Sequence, residues 1–470
     1  MHLGNKRISK EMKLRVLNIF ASLFVTASII TSCLDNDEIE YKPSQNAVIT
    51  SFAIKDSIIT YYDTQVDGKD TTLSTSVIGS EYPFIIDQYE GRIYNPDSLP
   101  IGTDISKVVV DISIDGYSVI IEAEEDSVWQ SEDSLSFVNP IKFKVLSLAN
   151  QFGRTYTAQI NVHQQNPEEM SWQKMEGNFP NIQAQKAVLS NGNIYVFAEQ
   201  EKQVAITMTA INDGKNWTAL QKIDIPSKAD YSSVMVWNNC FYILADNKLY
   251  TSTNALNWTK VETEQAISRL LANTDTDVSK KLIAADMENR LIKSEDGINW
   301  NQYSVLPEGF PKAQTSFTSY ALDTNEGINR IILLERNEEK TDSLTTAWMM
   351  LDTDNEWIDM PCENKSFACP RLENAAMIRY NNKLYTFGGS GQRNITFPAF
   401  SKFFQSEDNG ISWKSIGESM VFPETFVELY ESAHGEYSYV VDENHFIWIM
   451  WGTIGEVWRG RINKLGFERQ

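Results

Sequence analysis

The chain is rich in carboxylates and poor in other groups that do chemistry. Its 470 residues carry 63 Asp and Glu against 41 Lys and Arg, with four His and four Cys. A carboxylate pair can cleave a glycosidic bond, retaining configuration when the two groups stand about 5 Å apart. No spacing in this sequence fixes such a pair, so a solvated acidic surface is the expectation and no catalytic residue is assigned. His163, His434 and His445 lie far apart in sequence and show no metal-ligand spacing. Each reads as an ordinary surface imidazole, so no metal site and no cofactor is expected. Cys362 and Cys369 bracket six residues and could close a short disulfide in an oxidising compartment if their Cβ vectors face each other. Cys240 sits in an apolar run and reads as a buried thiol. Tyr303, Phe310, Phe317, Tyr320, Phe397, Phe400 and Tyr430 lie in the longer connections. They could form a stacking platform for sugars, but packing between sheets is the expected role.

The bulk properties narrow the function classes. A net charge of -22 and a pI near 4.7 repel nucleic-acid phosphates, so no nucleic-acid partner is expected. With 42% hydrophobic residues, 12 Trp, 19 Tyr and 22 Phe, the chain can bury sizeable cores. The aromatic load favours β-structure.

Residues 1–32 have the three regions of an export signal: Lys6, Arg7, Lys10, Lys13 and Arg15 first, then an apolar stretch from Val16 to Ile30. The stretch ends in Ile30-Thr31-Ser32-Cys33, which resembles a bacterial lipobox. That resemblance implies cleavage before Cys33 and acylation of its sulfur, each buried CH2 of the acyl chains adding about 0.8 kcal/mol of membrane affinity. The acidic run Leu34-Asp35-Asn36-Asp37-Glu38 resembles the export tag of surface lipoproteins. The implied location is the outer membrane, lipid-anchored and facing outward, with residues 33–46 as a tether.

From Ala47 to about residue 166, short β-rich runs alternate with turns such as Asn95-Pro96-Asp97-Ser98 and Asp115-Gly116. A closing hairpin is expected between Ile141–Leu148 and Thr155–Val162. Residues 47–166 suit a small β-sandwich. The segment Ser98 to Asp104 followed by Val108-Val109-Val110 resembles the immunoglobulin-like modules of bacterial surface lipoproteins, which implies a spacer.

Beyond residue 166 a unit recurs: apolar strand, turn, strand, a polar turn, then Trp. The Trp residues are 172, 217, 258, 300, 357 and 413, spaced 41 to 57 residues apart. That is the scale of a four-stranded propeller blade. Gly serves the turn where φ is positive, Asp or Asn bonds turn backbone, and the indole can wedge between sheets. Ser406 to Trp413 matches the Asp-box of sialidase-like propellers. Pro370-Arg371, Ala375 to Ile378 and Asn382 to Gly389 resemble a Kelch repeat. The fold expectation is therefore all-β: an N-terminal β-sandwich (47–166) followed by a six-bladed β-propeller (167–470), or seven blades if residues 300–413 hide an extra hairpin. The strand at Ser171–Met175 should complete the last sheet, because the C-terminal unit lacks its outer strand.

Neither resemblance brings an active site with it. The Arg residues fit no carboxylate-clamp register, and the His set is too sparse for a Kelch-type copper oxidase. The layout resembles lipoproteins of gut-type Gram-negative bacteria. It implies a non-enzymatic binding or scaffold protein engaging a glycan or a surface protein complex, with binding residues unknown. The alternative is a glycan-active enzyme with carboxylates in the propeller funnel.

Overall fold

The computed structural model describes residues 42–149, 152–312, 315–335, 344–417 and 419–466. Cys33 and the export segment lie outside the described residues. The chain divides into two compact units, residues 1–164 and 165–470. Among the described residues no helix is long and apolar enough to cross a membrane.

The first unit contains a three-stranded sheet (Val48–Ile54, Val108–Asp115, Ser134–Leu135) and a six-stranded sheet whose centre pairs Ile141–Leu146 with Gly153–Gln159. Alternation decides which residues are buried. Ile49, Phe52 and Ile54 from the first sheet meet Val119, Phe143, Val145 and Tyr156 from the second in one core. A two-stranded ribbon, Ser57–Val66 with Lys69–Ile78, turns at Asp67-Gly68, where both residues have positive φ. This is the primed-turn geometry that an Asp-Gly pair favours. Sequence reading recognised only the first part of this ribbon. Its Thr and Ser side chains give no buried stripe, and most of its second strand is exposed.

Among the described residues the second unit holds six large four-stranded antiparallel sheets and one small one, the first five of the large sheets running in sequence order. The first begins with Gln183–Ser190, the second with Ala229–Trp237, the third with Ile267–Asp275, the fourth with Thr315–Leu322, the fifth with Ala376–Tyr380 and the sixth with Ser438–Val441. The second strands read as continuous apolar runs because both of their faces are covered. Ile331 and Leu333 face the third sheet, while Ile332 and Leu334 face the fifth. Ile447–Trp451 is buried at every position.

Six apolar cores therefore join six sheets in a cycle: first with second, and so on, with the sixth returning to the first. The sixth sheet is completed by Met170–Lys174, which pairs antiparallel with Glu456–Ile462 from Met170↔Ile462 to Lys174↔Trp458. This is the closure expected from sequence. It covers the edge of Glu456–Ile462 that would otherwise lie open, with Met170–Lys174 as the sheet's outer strand.

The added length between Trp300 and Trp413 forms no further large sheet. It lengthens the hairpin Thr315–Leu322 / Asn325–Glu335 and builds a small sheet from Leu344–Thr345, Cys369–Leu372, Gly391–Gln392 and Thr396–Phe397. One helix, Thr425–Ser432, was not anticipated. It buries Phe426 and Tyr430 in the core between the fifth and sixth sheets.

Candidate functional site

Each turn-associated Trp enters the core between its own sheet and the one before it: Trp217 between the sixth and first, Trp300 between the second and third, Trp413 between the fourth and fifth. Three of the indoles are pinned by their own turns, with Trp217, Trp258 and Trp413 donating from Nε1 to the carbonyls of Gly214, Ala255 and Gly410. The carboxylates of these turns are spent on local backbone. Asp296 Oδ1 accepts from Ile298 and Asn299 N–H at 2.8 Å each, which holds its carboxyl down at about 2. Asp408 accepts from Ser412 N–H at 2.8 Å and from the hydroxyls of Ser406 and Ser412. The Asp296 and Asp408 carboxylates are thus engaged within their own turns.

A concavity lies at the opposite ends of the sheets, where the first strands begin. It encloses about 430 Å³. Four sheets contribute. The first sheet's opening strand bulges between Gln183 and Lys186 and puts Ala184 at φ 47°, a conformation L-residues avoid. Ala184 N–H then donates to Glu436 Oε2 at 3.1 Å, tying the first sheet to the segment that enters the sixth. From the second sheet come Asp230, Tyr231 and Ser232, also at a bulge. Asp230 Oδ1 holds Ser232 through its N–H at 2.9 Å and its hydroxyl at 2.5 Å. From the approach to the fifth sheet, Asn374 donates to Gly435 O at 3.0 Å. The wall thus mixes amide, hydroxyl, carboxylate and lysine groups with the rings of Tyr231 and Tyr437.

The Tyr231 hydroxyl is buried without a protein hydrogen-bond partner. Burial first, and then Glu199, push its pKa up to about 12. Sequence reading did not find this cleft. Its residues come from four sheets, and the bulges that aim them carry no composition cue.

The first strands of the fourth, fifth and sixth sheets are tied together near the cycle's centre. Met377 N–H donates to Ser316 Oγ at 2.9 Å and to Tyr439 Oη at 3.3 Å, and the two hydroxyls bond to each other.

With that geometry in place, residues 166–470 match the family model described as the DUF6242 beta propeller domain, and residues 38–160 match the N-terminal domain of the same family, a domain of unknown function. The chain belongs to the DUF6242 family. Its second unit is a β-propeller.

No curated protein matches this DUF6242 chain. Similar solved structures include virginiamycin B lyase from Staphylococcus aureus (10% identity, 62% of this chain and 99% of that one, TM-score 0.38). Another is a carbohydrate-active enzyme of family AA12 from Trichoderma reesei (9% identity, 62% and 96%, TM-score 0.38). A third is an alpha-L-arabinofuranosidase from Fusarium graminearum (10% identity, 62% and 98%, TM-score 0.36). At these scores the likeness carries no argument about activity.

The residues singled out from sequence are distributed as follows. Among the described residues no group of three His, Cys, Asp or Glu is placed to hold a metal ion. His434 lines the cleft, whereas His445 sits in a hairpin turn and donates its N–H to Asp442 O. The disulfide between Cys362 and Cys369 is not formed: both are free thiols. Residues 364–368 fold into a turn, and Cys369 enters a strand facing the core. Burial pushes its thiol up to about 12, while Cys362 bonds Asn364 O at 3.3 Å. Of the aromatic candidates, Phe310, Phe397, Phe400 and Tyr430 are buried in the inter-sheet cores. Tyr303, Phe317 and Tyr320 are half-buried and pack against the cores, so these seven build no open platform.

Proposed function

We propose that this DUF6242 chain is a lipid-anchored envelope protein whose six-bladed propeller binds a glycan in the cleft at the openings of its first strands. On this reading Cys33 carries the anchor at the outer membrane, residues 33–46 are a tether, and the 47–166 unit is an immunoglobulin-like sandwich that sets the propeller off the membrane. The six sheets joined by six cores are the blades, and the Asp-box and Kelch-like turns brace them.

The observation that carries the binding reading is the cleft's composition. Hydroxylated ligands need donors and acceptors in alternation with ring faces, and Lys186, Asn374, Ser232, Asp230, Glu436 and the two tyrosines supply both. Glycan-array screening of the purified protein, followed by calorimetry, tests it. Binding that falls at least tenfold on Asp230→Asn or Asn374→Ala, without release of shortened sugars, is the expected result.

A second reading, glycoside hydrolysis, rests on Asp230 and Glu436 lining one cleft. Both carboxylates already hold backbone N–H groups, a structural commitment that favours binding. Product release abolished by Glu436→Gln would reverse that preference.

A further inference from the structure

At the other ends of the sheets, a smaller pocket of about 210 Å³ lies between the fourth and fifth. It is built around Tyr320. Arg330 is its cross-strand partner on the neighbouring strand, and the Arg379 guanidinium lies over its ring at 4.1 Å. Its hydroxyl donates to Asn409 Oδ1 at 2.8 Å, in the turn that leads to Trp413. Burial raises the Tyr320 pKa, with Arg330 and Arg379 pulling against it.

The two arginines bring positive charge into the pocket with no carboxylate to neutralise it. Acidic residues outnumber basic ones by enough to leave a net charge of -22, yet among the described residues neither guanidinium has a carboxylate within ion-pair distance. Arg330 Nε is buried and has no protein partner. The remaining charges of the pocket do not cancel the pair. Lys383 and Glu407 neutralise each other at 2.6 Å, which leaves Asp323, an exposed side chain. Stacking on Tyr320 occupies one face of Arg379 and leaves its N–H edge able to donate in plane. Both arginines line the same concave pocket, and two guanidinium groups there supply the in-plane donors that an oxyanion needs.

We infer that this pocket is an anion-binding site, distinct from the cleft of the proposed function, that takes one compact oxyanion between Arg330 and Arg379. Its volume, at about 30 Å³ per water, equals roughly seven waters. That suits a sulfate group or the carboxylate end of an acidic sugar.

The test is calorimetry and thermal unfolding of the purified protein with sodium sulfate and with sodium glucuronate, each against sodium chloride at equal ionic strength. Saturable binding of either probe supports the site. Sulfate alone identifies a tetrahedral oxyanion, as in a sulfate ester; glucuronate alone identifies a carboxylate. Arg379→Gln and Arg330→Gln should each weaken binding at least tenfold. Because those changes also touch Tyr320 packing, Asn382→Asp serves as a second variant. It keeps the stack and adds a negative charge to the pocket wall, and it too should weaken binding at least tenfold. Shifts no larger than those in chloride, or binding unchanged in Asn382→Asp and in both arginine variants, would overturn the assignment. Asp230→Asn should leave this binding intact, which separates its failure from that of the cleft.

Discussion

Trp172 is the residue on which ring closure can be measured. Its indole lies across Gly460, its register partner, where a Cβ would come within 2.4 Å of the ring. It packs against Phe422 and Phe426 with centroids at 5.5 and 5.1 Å, and its Nε1 donates to Val421 O at 2.8 Å. A fully buried Trp truncated to Ala costs about 3–5 kcal/mol, and half-burial reduces that to about 2. The lost hydrogen bond adds about 1 kcal/mol, so Trp172→Ala should cost about 3 kcal/mol. Trp172→Phe keeps most of the stack and should cost about 1 kcal/mol. Urea unfolding followed by tryptophan fluorescence reads this, since Trp129 is the one Trp outside residues 165–470. The loss should appear in the main transition, because the strand joins residue 170 to residue 462 and closes the cycle. A main transition moved by less than about 0.5 kcal/mol would refute the reasoning, because the strand would then be a fraying edge and not a closing one.

Asp408→Ala removes acceptors for three donors in one turn and should destabilise by about 2–3 kcal/mol, with Asp408→Asn costing about half, by the same assay. Gly102 has φ 80°, and a Cβ there would stand 2.0 Å from Tyr61 O, so Gly102→Ala should lower the first unit's stability by about 2–4 kcal/mol in thermal unfolding by circular dichroism. Buried Tyr380 and Tyr385 are both pushed by burial from 10 up to about 12, so the folded state holds their protons after the unfolded chain has released them. Stability from this source is complete below pH 10 and lost between about pH 10 and 12, by about 2–3 kcal/mol per residue. The part of the tyrosinate absorbance that Tyr380→Phe and Tyr385→Phe remove should therefore rise together with unfolding and not before it. Lys293, pushed down to about 8 by burial and then by Lys281, acts in the opposite sense, adding stability between about pH 8 and 10.5. Lys293→Met should flatten that rise.

What could be read from sequence was whatever repeats. The turn-and-Trp unit recurs because each sheet must cover the flank of its neighbour, and the absence of an outer strand after Glu456–Ile462 pointed to the strand at Met170–Lys174. Features that occur once were harder to read. The Ser57–Val66 ribbon carries an Asp-Gly turn that a hairpin search would find, but its polar alternation hides the second strand. The helix Thr425–Ser432 is eight residues with two buried aromatics, too short for a convincing period. The cleft was invisible for a different reason. Asp230 and Glu436 are 206 positions apart, and the bulges that bring their strand ends together follow from backbone register, not residue type.

The division of labour along each sheet explains why a brace can resemble a site. Asp296 and Asp408 have the carboxylates and the periodicity that invite a catalytic reading, yet their lone pairs are committed to backbone N–H groups or hydroxyls of the same turn, and their Trp neighbours fill the inter-sheet cores. Repetition follows from that role, because every junction between sheets needs the same wedge. A ligand needs an asymmetric surface, so binding residues should differ from sheet to sheet. The cleft fits that requirement: its first sheet offers Gln185 and Lys186, its second Asp230, Tyr231 and Ser232, and the approaches to its fifth and sixth Asn374, His434 and Glu436. The same holds for the Arg330 and Arg379 pocket, which lies at a single junction. In this fold, departure from the repeat is therefore a better guide to binding than the repeat itself.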